Sequence, residues 1–177
     1  GGVKKIIFAG YATDPLNCSY IGELLDLTIS NKAIFGFNTK ALKISDTFFN
    51  ALKNNNICDD SYISLSVDAG TNETYNLIHD VKAKKAKIYD QVLNNAKRLG
   101  EIKKKNYFDL SAAYLVNINS ANLNDYENFI NDFMGAGCNV LRFSFPQPPK
   151  DTKTEKGVVP TPEEINVYIS DLIKLKK

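Results

Sequence analysis

The sequence predicts an α/β fold of about five parallel strands with outer helices, either an incomplete (βα) barrel of the TIM-barrel kind or an open doubly wound sheet. Three observations predict it. Apolar strand-like runs alternate with segments of helical periodicity along the whole chain. Strands joined through helical crossovers must run parallel. The run Tyr62 to Val67 is apolar and closes on Ser66, Asp68 and Gly70 before a helix opens. This is how a parallel strand brings polar groups to the C-terminal rim, where ligands bind.

Each element follows from local chemistry. Lys4 to Ala9 is the first strand, and Tyr20 to Ser30 is a helix with Ile21, Leu24, Leu25 and Thr28 at helical spacing. Ala33 to Asn38 is the second strand. Ser45 caps a helix carrying Phe48, Phe49 and Leu52, which the run Asn54, Asn55, Asn56 stops. After the Tyr62 strand, a short helix runs from Thr71 to His79, capped by Thr71 or Asn72; Asp68 is a further candidate cap. Lys87 to Lys104 is a longer helix with Ile88, Val92, Leu93, Ala96, Leu99 and Ile102 turned inward. Phe108 to Asn117 is the fourth strand. Asn122 is expected to cap a helix through Met134, which Gly135 and Gly137 end. Asn139 to Phe145 is the fifth strand, and Pro146 to Pro162 reads as an exposed loop. Thr161, Pro162 and Glu164 open a final helix as a capping box with proline in the first turn.

Composition narrows the function. The 177 residues suffice for one domain, taken as 1–177, with a substantial core. A net charge of +2 makes no electrostatic case for nucleic acid, and the Lys-rich stretches read as solvated helix ends. No apolar run approaches the ~20 residues of a membrane span, and no signal-peptide pattern opens the chain, so a cytoplasmic setting is expected. Cys18, Cys58 and Cys138 are far apart and form no CxxC or CxxxCxxC motif, so no metal site is expected from spacing. His79 is the sole histidine, and no GxSxG elbow accompanies it. No GxGxxG or GxxxxGK loop is present for a nucleotide phosphate.

The wording of several segments resembles the radical S-adenosylmethionine (SAM) superfamily. Ser64-Leu65-Ser66-Val67-Asp68-Ala69 with Thr74 to His79 is similar to that family's "SLDG/SLDA" strand and "TYxxIH" helix. Gly10 with Asp14-Pro15 resembles its "GGEP" turn, without the second glycine. Gly36 to Ala41 resembles the strand ending "TNG". Asp46 to Asn56, Lys87 to Asn95, Leu115 to Asn117 with Asn124 to Asp132, and Val140 to Ser144 resemble the segments that follow, in family order. The resemblance favours the barrel over the doubly wound sheet, with strands in sequential order. It implies that the chain matches strands two to six of the family barrel. The family's CxxxCxxC loop, which binds a [4Fe–4S] cluster, is missing. The chain is therefore expected to be a fragment of a longer protein or a cluster-less relative that keeps a small-molecule or scaffold role.

The resemblance also implies a cofactor and a site. SAM would be reductively cleaved to a 5′-deoxyadenosyl radical in the full-length protein, with the chain inactive alone and the [4Fe–4S] cluster held only in the longer protein. Backbone groups of Gly10 and Tyr11 would receive the methionine amine. Ser66 and Asp68 stand two apart on one strand, so both are expected on one face, where a hydroxyl and a carboxylate suit ribose or an amine. Asn38 would reach the same pocket, completed by Ser111 or Tyr114, with Lys82 or Lys87 near the SAM carboxylate. The orientation of Arg142 depends on register. The substrate, a peptide or a small molecule, is not legible. Two open strand edges suggest self-association.

Overall fold

The computed structural model describes residues 2–10, 13–83, 85–116, 122–145 and 161–175. Its sheet has five strands: β1 (Lys5–Ala9), β2 (Ile34–Thr39), β3 (Tyr62–Ser66), β4 (Asp109–Leu115) and β5 (Val140–Ser144). Every pairing is parallel and the order is β1-β2-β3-β4-β5. Sequential order excludes the doubly wound alternative, whose strand order reverses at a switch point. It is the order of an incomplete barrel. The helices are α1 (Ile21–Ser30), α2 (Asp46–Asn54), α3 (Asn72–Ile78), α4 (Ile88–Lys103), α5 (Tyr126–Gly135) and α6 (Pro162–Leu175), with one 3₁₀ turn at Pro15–Asn17. Right-handed crossovers that always step the same way put the helices between the strands on one side of the sheet.

Alternation decides which residues meet those helices. Phe35, Phe37, Ile63, Leu65, Leu110, Ala112 and Tyr114 are buried against the helix layer. There Phe37 meets Phe48 edge-on at 5.0 Å between ring centroids, and Tyr114 lies 4.9 Å from Phe129. Residues between them in sequence face the other way. In register, Asn38 pairs with Ser64 and Ser64 with Ser111; Ser66 pairs with Ala113 and Ala113 with Arg142. The outer face is thus apolar and covered, whereas the inner face carries Asn38, Ser64, Ser66 and Ser111 beside apolar Ile7 and Val140. Its lower end is filled by the Tyr62 ring, which occupies the space a side chain at Gly36 would need, with Lys5 Nζ 5.3 Å from the ring centroid.

Three expectations about the elements are corrected. Leu24 is 42% exposed, and α1 buries Ile29 instead. Asn122 does not cap α5, whose N-cap is Asp125; it is fully buried and donates to the carbonyls of Asp68 and Leu115 at 2.8 Å each. Asp68 does not cap α3 either: Thr71 does, accepting from the Thr74 amide. The capping box of α6 forms as expected, with Thr161 N–H donating to Glu164 Oε2 and Glu164 N–H donating to Thr161 Oγ1. Most of the expected Pro146 to Pro162 loop lies outside the described residues. Among the described residues, no helix is long and apolar enough to cross a membrane.

Candidate functional site

The C-terminal ends of β1, β2 and β3 enclose a cleft of about 550 Å³. Gly10, Asn38, Lys40 and Ser66 line it, together with the turn from Thr13 to Asn17. The cleft owes its shape to Gly10 and Asp14. A Cβ at Gly10 would lie 1.6 Å from the Thr13 carbonyl oxygen, so only glycine lets the chain fold back here. Asp14 then fastens the turn to β2. Its carboxylate accepts from the Leu16 amide at 2.9 Å, from Thr39 Oγ1 at 2.8 Å and from the Lys40 amide at 2.6 Å. In the expected "GGEP"-like turn Asp14 is therefore a strut, with its oxygens already engaged by the protein.

The backbone at the strand ends is unusual. Ala41 has φ 52° and Asp68 has φ 60°, left-handed values rarely adopted by residues with a side chain. At Asp68 this bend takes the side chain off the line of β3. Oδ1 accepts from the Leu115 amide at 2.8 Å, extending the β3–β4 ladder past the end of the strand. Burial pushes the Asp68 carboxyl above its ordinary value, opposed by that amide and by the charges of His79, Lys40 and Arg142. His79 packs its ring on Tyr75 at 4.2 Å, and its Nε2 lies 3.4 Å from the Val67 carbonyl oxygen. Burial is the main cause that lowers its pKa. The Tyr75 hydroxyl is buried, with no partner among the described residues, and burial together with the charges of Asp68 and Asp14 raises its pKa to about 12.

The residues singled out in the sequence are placed as follows. Gly10, Asn38 and Ser66 meet in the cleft. Asp68 stands beside it and turns toward β4. Ser111 lies on the same inner face as Ser66 but nearer the N-terminal end of the strands, in register with Ser64. Tyr11 lies outside the described residues. Tyr114 belongs to the outer face: its hydroxyl is bonded to the Asn122 carbonyl and to Asp125. Lys82 is exposed and paired with Asp80 at 2.9 Å, away from the cleft. Lys87 is the N-cap residue of α4 and likewise does not line it. The cation at the cleft is Lys40, which sequence reasoning passed over; its place just after the Asn38-Thr39 strand end was the available signal.

The donor set fits SAM. Lys40 offers a cation for a carboxylate, Asn38 and Ser66 offer amide and hydroxyl groups for ribose or amine, and the backbone at Gly10 is bare of side chain. It does not fit an iron–sulfur cluster. Cys18 is exposed, Cys58 half-buried and Cys138 buried, and among the described residues no three His, Cys, Asp or Glu side chains could share a metal ion. Burial raises the Cys138 thiol to about 12, which makes it a poor ligand at neutral pH.

No family model matches the chain, and no curated protein matches it. Solved structures do. The chain is similar to native anSMEcpe with bound AdoMet and a Cp18Cys peptide, with a TM-score of 0.65 and 16% identity over 99% of this chain and 47% of that one. It is similar to Streptococcus suis SuiB, with a TM-score of 0.63 and 13% identity over 98% of this chain and 36% of that one. A radical SAM methyltransferase from Sphaerobacter thermophilus matches at a TM-score of 0.52 and 15% identity, over 79% of this chain and 37% of that one. The fold is thus a parallel partial barrel of the α/β class. More particularly, it is the fold of a part of these structures, a radical SAM methyltransferase among them, and the chain spans about a third to a half of their length.

Proposed function

We propose that this chain is the SAM-binding part of a radical SAM enzyme. The observation that carries the reading is the convergence of Gly10, Asn38, Lys40 and Ser66 in one cleft at the C-terminal ends of three adjacent strands. SAM, when bound and reduced, supplies a carbon-centred radical. The residues of this chain bind and orient it. Lys40 meets the methionine carboxylate, carbonyl oxygens around Gly10 receive the amine, and Ser66 with Asn38 engages the ribose. Asp68 stands next to Ser66 with Oδ1 held by the Leu115 amide. SAM-bound relatives of this fold, SuiB among them, support the choice of cofactor. Two neighbours with bound peptides, SuiB with its precursor peptide SuiA and anSMEcpe with a Cp18Cys peptide, support a peptide or small-molecule substrate.

The three cysteines supply no compact thiolate loop, so this chain alone is proposed to bind SAM without cleaving it. Anaerobic reconstitution with iron and sulfide is expected to give no cluster absorption and no 5′-deoxyadenosine. Calorimetric titration with SAM tests the binding reading. Saturable one-to-one binding, weakened at least tenfold by Ser66→Ala combined with Asn38→Ala, is the expected result. No saturable binding to a folded chain would overturn the reading and favour a scaffold module.

A further inference from the structure

Arg142 is one of only two arginines in the chain, and the only one on the sheet. In β5, Leu141 and Phe143 are partly buried and pack on the core, while Val140, Arg142 and Ser144 are exposed. Register places Arg142 beside Ala113 and Ala113 beside Ser66, all three on the inner face. Adjacent strands lie about 4.8 Å apart, so the Arg142 backbone stands about 10 Å from Ser66 and from the edge of the cleft.

Lys40 lines the cleft itself, and three other cations near the sheet are held by the protein. Lys5 lies over the Tyr62 ring, Lys103 donates to Asn139 Oδ1 at 2.9 Å, and Arg98 on α4 stacks on Phe49 and reaches Asp46 at 3.3 Å. Among the described residues, Arg142 has no ion pair, hydrogen bond or ring partner. Asp68 lies within range of its charge but is bonded to the Leu115 amide. Asp109, the strand acid of the inner face, is four residues down β4 from Ala113, about 13 Å along the strand, and is held by Tyr107 and Asn139. Between Arg142 and Ser66 the inner face carries only the small side chain of Ala113.

We infer that Arg142 holds a carboxylate of the substrate, over Ala113, on the inner face next to the SAM cleft. The guanidinium matches a carboxylate with two parallel N–H···O bonds. A single carboxylate group carries one charge, which the neighbouring Asp68 opposes less than it opposes the two charges of a phosphate group. The hydroxyl of Ser144, two residues on and on the same face, is placed to add a further donor. The word substrate rests on the proposed function; the anion site itself does not.

The test uses the whole chain with its two arginines labelled with ¹⁵N, and follows their Nε resonances. Glutarate is the carboxylate probe, inorganic phosphate the comparison, and SAM is titrated separately. Saturable movement of the Arg142 signal with glutarate, a still Arg98 signal, and at least tenfold weaker glutarate binding in Arg142→Gln are expected, with phosphate bound more weakly. Binding of SAM to Arg142→Gln is expected within threefold of the parent chain. Equal, non-saturating movement of both signals would show screening only and overturn the inference. So would movement with SAM but not glutarate, which would make Arg142 a ligand of SAM itself. Tighter binding of phosphate than of glutarate would also overturn it. If the parent chain binds glutarate at Arg142 but does not bind SAM, the site stands and the proposed function fails.

Discussion

At the scale of single residues, Asp14 and Asp68 both serve the backbone first. Asp14 accepts from two amides and a hydroxyl at the mouth of the cleft, the Leu16 amide and the Thr39 hydroxyl part-buried. Removing an acceptor from part-buried donors costs about 1–3 kcal/mol. Asp14→Ala should therefore lower the unfolding free energy by about 2 kcal/mol, read from urea midpoints, and weaken SAM binding by loosening the turn. Asp68 shows the opposite balance of charge and geometry. Its folded pKa is raised by burial above the ordinary 3.8, so the folded chain binds its proton more tightly than the unfolded chain. The contribution of this group to stability is full below 3.8 and declines as pH rises through its folded pKa. Asp68→Asn keeps a carbonyl oxygen for the Leu115 amide and removes the charge. Thermal melts across pH should show that variant at least as stable as the parent at neutral pH, without the decline. Asp68→Ala loses the acceptor and should be destabilised by about 1–3 kcal/mol at every pH. Equal behaviour of the two variants would show that the bond to Leu115 contributes nothing.

At the scale of elements, the strand ends form the cleft, and the glycine after β1 is its critical position. Gly10→Ala must push the Thr13 carbonyl aside from a 1.6 Å clash. Far-ultraviolet circular dichroism should stay unchanged while SAM affinity falls at least tenfold; unchanged affinity would remove the β1 turn from the site. The elements themselves were legible because each has a period of its own: Phe35 and Phe37 alternate, whereas Val92, Ala96 and Leu99 repeat at helical spacing. The site was legible only in part. Gly10, Asn38 and Ser66 sit at strand ends that the apolar pattern marks. Asn122 looked like a cap because its role depends on Asp68, 54 residues away, and local sequence does not encode that distance. Tyr114 was ambiguous for a related reason. On a strand with both faces partly buried, the identity of a residue does not fix its side; the hydroxyl found Asp125 in the helix layer. Lys40 was missed because a lysine after a strand ordinarily reads as solvated.

At the scale of the whole molecule, the sheet ends on two strands, β1 and β5, that each have one neighbour among the described residues. Ile7 is 54% exposed on β1 and Val140 50% exposed on β5. Unpaired N–H and C=O groups beside exposed apolar side chains favour edge-to-edge association. Light scattering should show the mean mass of the isolated chain rising with concentration, and Ile7→Lys should reduce the rise. A constant monomer mass would mean that both edges are covered. The proposed function depends on where SAM sits. Amide chemical-shift mapping of the chain titrated with SAM tests this most directly. Saturating shifts are expected at Gly10, Asn38, Lys40 and Ser66, with the amides of α2 and α4 unmoved. Shifts confined to the helix layer, or none at millimolar SAM, would contradict it.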